Sequence, residues 1–141
     1  LDATDFRPFR ALAGAPAFMV AHVVYTGLDA AGPASCAFGV VVGTIRRDLG
    51  MRGLAFSDDV DMGALDGPVD ARVHAVLAAG NDVALQCNGR SADVERALGA
   101  APPLSAAAAE RFAAARARLR VPPAGEVDRH ALETALAARL G

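Results

Sequence analysis

Gly53-Leu54-Ala55-Phe56-Ser57-Asp58-Asp59-Val60-Asp61-Met62 begins as a short apolar run and ends with three acids in four positions. Like charges packed that closely repel, so the chain gains nothing obvious in stability from them. A catalytic or metal site does gain. Leu54 to Ser57 is short and apolar and lies between Gly53 and the acids, which predicts a buried strand. What the acids do depends on how that strand is paired, and the flanking segments address this.

Ala17 to Tyr25 is a near-continuous apolar run between Pro16 and Gly27, and Val83 to Gln86 is a shorter one; both predict buried strands. Between the strands, Phe38 to Leu49 carries apolar residues at 38, 41, 42, 45 and 49, the spacing of a helix face, with Gly50 as its stop. Asp66 to Ala79 predicts a helix with Val69, Val73, Val76 and Leu77 on one side and Gly80 as its end. Asp5 to Ala13 reads as a short helix or turn, and Thr26 to Ala37 as a loop. Ser91 to Leu98, Ser105 to Leu119 and Asp128 to Leu140 read as helices, with Pro102-Pro103 and Pro122-Pro123 as breaks and Asn88-Gly89 as a turn.

This alternation of apolar strands with helices predicts an α/β fold with a parallel sheet covered by helices. Three strands leave two bare edges. In a parallel sheet the strand C-termini share one rim, where α/β proteins place their active sites. His22 and Tyr25, then Asp58, then Gln86, Cys87 and Asn88 line that rim. Alternation along the central strand separates Leu54, Phe56 and Asp58 from Ala55, Ser57 and Asp59. It leaves open which set faces a pocket.

Composition narrows the function. The 141 residues suffice for one domain with a core. A net charge of −2 gives no reason to expect nucleic acid, and no apolar run is long enough to span a membrane. All 14 basic residues are Arg, so a mechanism needing a lysine from this chain is excluded. Cys36 and Cys87 do not form a CxxC pair and are expected to be free, buried thiols of a reducing compartment, which suggests a cytoplasmic location. The acidic start, Leu1 to Asp5, lacks a signal-peptide pattern and a Met, which raises the expectation that the chain is a piece of something longer.

The run from Ile45 to Asp59 resembles the nucleophile signature of family 3 glycoside hydrolases: a basic helix end, a Gly, an apolar strand, then Ser-Asp. Ser57-Asp58-Asp59-Val60-Asp61-Met62 is similar to the form found in bacterial β-N-acetylhexosaminidases of peptidoglycan recycling. Phe6 to Tyr25, Leu28 to Ser35 and Ala75 to Gly89 resemble further stretches of the same family. The likeness covers roughly residues 5 to 90. Its implied fold is a partial (β/α)8 TIM-type barrel, about the last three βα units (residues 1–100), followed by a C-terminal helical extension (101–141).

The implied chemistry is retaining hydrolysis of terminal β-linked N-acetylglucosamine from muropeptides. Asp58 would be the catalytic nucleophile and would form a glycosyl-enzyme ester. His22 would be substrate-binding. Ser57 and Asp59 would support Asp58 from behind, Asp59 by ordering the loop through backbone N–H groups. The reading calls for no cofactor and no metal. Its partners are a small saccharide or muropeptide and the missing N-terminal half of the barrel, with no nucleic acid and no membrane. The family's acid/base His and its other sugar contacts come from earlier strands, so the chain alone is expected to be inactive. Thr44, Ala55 and Asn81 depart from the family pattern at positions not expected to touch the chemistry.

Two alternatives compete. Asp59-Val60-Asp61 after an apolar strand also suits a Mg²⁺-dependent phosphatase, although that chemistry normally needs a lysine. The other is a non-catalytic truncated or split remnant that needs a partner. Among the remaining polar residues, Asp61 is expected to cap the next segment, and His74 and His130 to lie at the surface. Arg46, Arg47 and Arg52 are expected at a solvated helix end, with Arg46 pairing Asp48 or the helix C-terminus. The Arg-rich helix near Arg111 lacks the aromatic interleaving of a nucleic-acid binder.

Overall fold

The computed structural model describes residues 4–87, 91–119 and 128–140, with 91 and 140 described by backbone alone. In chain order these form α1 (Arg7–Ala11), β1 (Ala17–Val20), a 3-10 turn (Ala34–Cys36), a helix of π winding (Gly39–Asp48), β2 (Leu54–Asp59), α2 (Val69–Ala78), β3 (Val83–Leu85), α3 (Ser91–Ala100), α4 (Ala106–Arg118) and α5 (Arg129–Leu140). The strands make one parallel sheet in the order β1-β2-β3. The expected α/β alternation is therefore the observed one, and the expected bare edges belong to β1 and β3. The Asn88-Gly89 turn and the Pro122-Pro123 break lie outside the described residues.

Register decides which side chains share a face. Met19 pairs with Phe56 and Val20 with Ser57. Phe18 and Val20 therefore stand on the same face as Ala55 and Ser57. The helices cover that face. Val20 packs with Ala34, Ala37, Val40, Val41 and Ala79, joined by Phe18 and Ile45. Ala84 of β3 packs against a second cluster of Val60, Leu65, Val69, Val73, Val76 and Ala97, built by β2's exit, α2 and α3. The opposite face is left open along its upper part, where Met19 is 56% exposed and Phe56 and Asp58 are half-buried.

Two glycines set the frame. A Cβ on Gly53 would collide with the Ala15 carbonyl and the Pro16 backbone, so only glycine lets the chain entering β2 pass β1 this closely. Gly80 ends α2 at φ +104, and a Cβ there would meet Val42 Cγ2 at 2.6 Å.

Several boundaries differ from expectation. β1 stops at Val20 rather than Tyr25, because beyond that point it is the His22 ring, not a ladder of backbone bonds, that engages the β2 exit. β2 runs on to Asp59 because it stays paired to β3 there, and Val60 N–H donates to the Leu85 carbonyl at 2.8 Å. The helix predicted from Phe38 is wound with i→i+5 bonds, as in Leu49 N–H to Thr44 O. Val40 and Val41 are buried in it, while Phe38, at its N-cap, is 62% exposed, outside the face expected to hold it.

The N-terminal end of the sheet also corrects two arginines. Arg46 does not pair with Asp48. Its guanidinium donates to Asp82 at 2.7 Å and to the Gly53 carbonyl at 3.2 Å, and lies over the Phe18 ring. Arg47 is the one that meets Asp48, at the surface. Arg111 of α4 reaches the same Asp82 through two bonds, at 2.6 and 2.9 Å, and Asp82 also accepts the Ala55 N–H. Arg118 donates to the Gly14 carbonyl at 2.7 Å, so α4 is docked across the foot of the sheet.

Candidate active site

The acids of the opening stretch part at the C-terminal end of β2. Burial along the strand alternates after Leu54: Ala55, Ser57 and Asp59 are buried, while Phe56 and Asp58 are half-buried. Asp58 thus stands on the open face, and Asp59, 7% exposed, stands on the helix-covered face. Alternation posed this choice and packing of the helices resolves it.

A register irregularity falls at this point. Phe56 pairs with Val83 and Asp59 with Leu85, so three steps on β2 oppose two on β3. Such a bulge breaks the ladder locally and re-aims a side chain. Ser57 repairs the break. Its Oγ accepts the Leu85 N–H at 3.1 Å and donates to the Asp58 carbonyl at 2.7 Å. A small hydroxyl side chain, fully buried, stands in for a missing backbone acceptor.

Asp58 Oδ1 accepts the Asp59 N–H at 2.9 Å, and no ion pair to Asp58 forms among the described residues. The Asp59 carboxylate accepts the Asp61 N–H at 3.0 Å and the Cys87 N–H at 3.1 Å, which ties the exit of β2 to the exit of β3. The Asp61 carboxylate receives the Gln86 amide at 3.3–3.4 Å across the rim. It joins two loop ends there instead of capping the next helix, whose first turn follows Pro68.

His22 is buried, with both ring nitrogens committed to protein partners. Nδ1 lies 2.6 Å from Ser35 Oγ and Nε2 lies 3.1 Å from the Asp59 carbonyl. Neither nitrogen is presented to the open face. Ser35 is fully buried, and its carbonyl accepts Asn81 Nδ2 at 2.8 Å. The same amide donates to the Val76 carbonyl at 2.7 Å, and Asn81 Oδ1 is buried without a hydrogen-bond partner.

Cys87 is exposed, not buried as expected, because β3 ends at Leu85 and the thiol sits at the rim. Desolvation, then the negative charges of Asp59, Asp58 and Asp61, push its pKa up. Burial raises the pKa of Cys36, partly offset by a bond from Ser35. Both thiols are free. Among the described residues no group of three or more His, Cys, Asp or Glu is arranged to hold a metal. His74 and His130 are exposed, as expected.

Three residues of this region were given no structural role from the sequence, Asn81 having been named only as a departure from the family pattern. Ser35 and Asn81 stand in the stretches that carry the family likeness, yet nothing local assigns them a partner. Arg72 gives no signal at all, since an Arg on a helix ordinarily reads as solvated. It donates to the carbonyls of Gly67 at 2.8 Å, Val60 at 2.9 Å and Met62 at 3.3 Å, and so clamps the loop that follows Asp58. No helix is long and apolar enough to cross a membrane among the described residues.

Comparison with known proteins agrees with the α/β fold. The chain is 47% identical over 92 residues to a β-hexosaminidase of Stenotrophomonas maltophilia, a match covering 62% of this chain and 27% of that protein. It is 43% identical over 99 residues to a β-hexosaminidase of Vibrio cholerae, covering 66% and 29%. It therefore spans under a third of the length of these relatives. Among solved structures, NagZ of Neisseria gonorrhoeae in complex with zinc ion superposes with a TM-score of 0.68 at 28% identity, covering 99% of this chain and 39% of that one. The glycosyl hydrolase family 3 N terminal domain matches residues 1–120, and the chain belongs to that family.

Proposed function

We propose that this chain is the nucleophile-bearing part of a retaining β-N-acetylglucosaminidase, with Asp58 as the nucleophile. One observation carries the reading: Asp58 stands at the C-terminal end of a central parallel strand, on the open face, with no cation neutralising it among the described residues. Asp58 attacks the anomeric carbon of a terminal β-linked N-acetylglucosamine and expels the aglycone as a glycosyl-enzyme ester forms. Water then cleaves the ester and regenerates the carboxylate. Muropeptides of the cytoplasmic recycling route are the substrates that this reading favours.

The open face is the interior of a (β/α)8 barrel of which residues 1–100 form about the last three βα units. The acid/base group and most sugar contacts then come from the earlier units. The test is to complete the barrel with the matching N-terminal part of the 47% identical Stenotrophomonas protein and treat it with a 5-fluoro glycosyl fluoride of N-acetylglucosamine. Peptide mapping is expected to find the label on Asp58. A label on another residue, or undiminished labelling after Asp58→Ala, would end the proposal. The 141-residue chain alone is expected to give negligible turnover of an aryl N-acetyl-β-glucosaminide.

A second reading, a split or remnant protein that needs a partner, draws on the β1 side. An apolar cavity of about 390 Å³ lies there, lined among others by Phe6, Phe9, Phe18, Met19 and Tyr25, beside the unpaired edge of β1. Self-association seen by light scattering would favour it, and a compact monomer would count against it. The Mg²⁺-phosphatase alternative gains no support: the Asp59 carboxylate it would use as nucleophile is on the covered face and accepts two backbone N–H groups.

A further inference from the structure

We infer that His22 is a positioning residue for Asp58, acting through its Nε2–H bond to the Asp59 carbonyl. The inference rests on the reading of Asp58 as the nucleophile. A carbonyl oxygen only accepts, so the 3.1 Å contact requires the proton on Nε2. Nδ1 then accepts from the Ser35 hydroxyl at 2.6 Å. This selects one tautomer and one ring orientation for a buried ring.

The Asp59 carbonyl holds two donors, His22 Nε2–H and the Met62 N–H at 3.0 Å. On its other side the Asp59 N–H donates to Asp58 Oδ1. Rotation of residue 59 would therefore turn the Asp58 carboxylate. The bulge makes that rotation feasible, since it interrupts the ladder that would otherwise hold residues 57 to 59. His22 resists it, and it is itself braced. Asn81 fastens the Ser35 carbonyl to α2 at Val76, and leaves its own Oδ1 without a partner to do so. The relay thus runs from α2 through the 3-10 turn and the end of β1 to the end of β2. The first βα unit supplies His22 and Ser35, the second supplies Asp59 and Val76, and Asn81 stands on the turn after α2.

Two measurements test this. Long-range ¹H–¹⁵N NMR of the histidine-labelled 141-residue chain is expected to show His22 as the Nε2–H tautomer, and the Nδ1–H tautomer would overturn the relay. In the completed barrel, His22→Leu is expected to lower kcat about 10- to 100-fold at nearly constant KM, as a misaimed nucleophile does. His22→Gln, which keeps an N–H near the Nε2 position, is expected to restore kcat to within about 3-fold. A folded His22→Leu variant with unchanged kcat refutes the role. So does an equal loss in both variants that tracks a fall in thermal midpoint, because that is what a merely structural histidine gives. If wild-type protein labels at a residue other than Asp58, the nucleophile reading fails, while the tautomer result still reports on the relay.

Discussion

Both ends of the sheet hold an aspartate in a tight place, and the two are treated in opposite ways. At the foot, the Asp82 side chain is 4% exposed and is met by Arg46, Arg111 and the Ala55 N–H. Burial pushes the Asp82 carboxyl pKa up. The Arg111 and Ala55 hydrogen bonds and the charges of Arg46 and Arg111 outweigh it and hold the group below the usual carboxylate range. At the rim, Asp58 has a backbone N–H and, among the described residues, no cation. The same residue type is neutralised by arginines at one end and left on the open face at the other, where the proposed nucleophile stands. The contrast fits the proposed barrel, in which one end serves stability and the other the site.

The comparison breaks first if Asp58 is dispensable. Asp58→Asn in the completed barrel is expected to cut turnover about 10³- to 10⁶-fold, as nucleophile losses do, with the unfolding midpoint in urea nearly unchanged. Normal turnover would make the two aspartates alike. Next, Asp82→Ala should leave Arg46 and Arg111 facing each other and destabilise the chain by about 2–4 kcal/mol in urea unfolding, toward the low side of a buried pair because both arginines are partly solvated.

The same group gives a pH signature. Its folded pKa lies below its unfolded value of about 3.9. Its stabilisation is thus complete above that value and is lost as pH falls through the depressed folded pKa. Asp82→Ala should abolish that part of the acid slope, and an unchanged slope would refute the assignment.

A smaller effect sharpens the rim. Ser57→Ala strips the acceptor from the part-buried Leu85 N–H and should cost about 1 kcal/mol, with slower fluorosugar labelling of Asp58. Ser57→Thr keeps the hydroxyl and should recover the labelling rate more fully than the stability. Least of all, Arg47→Ala at the exposed Asp48 pair should leave the urea midpoint unchanged within error, because solvent screens that pair. A clear loss there would mean that ion pairs at the foot stabilise wherever they lie.

Much of this was legible from residues alone because it is local. The strand at Leu54, the helices ending at Gly50 and Gly80 and the parallel order follow from apolar runs and turn residues. The motif ending in Asp58 and Asp59 is contiguous and needs no tertiary information to be seen. Arg46 shows where that reading stops. Beside Asp48 it looks like a helix-end partner, yet it spans 36 positions to Asp82. Ser35 and Asn81 sit in readable stretches, but their bond joins residues 46 apart. Phe38 fits an α-helical face, yet it stands 62% exposed at the N-terminal end of the π-wound helix. Cys87 read as buried because cysteines usually are, and the early end of β3 exposes it.

The sequence by itself determined the order of elements, the family likeness and the position of the acids at a strand end, since apolar period, glycine and proline act over a few residues. Only the tertiary structure decided that Asp58 faces the open side while Asp59 binds backbone, that a bulge at Ser57 aims the pair, and that His22 braces it. Those choices depend on which face the helices cover and on bonds between distant segments. Their energies exist only once the chain has closed on itself.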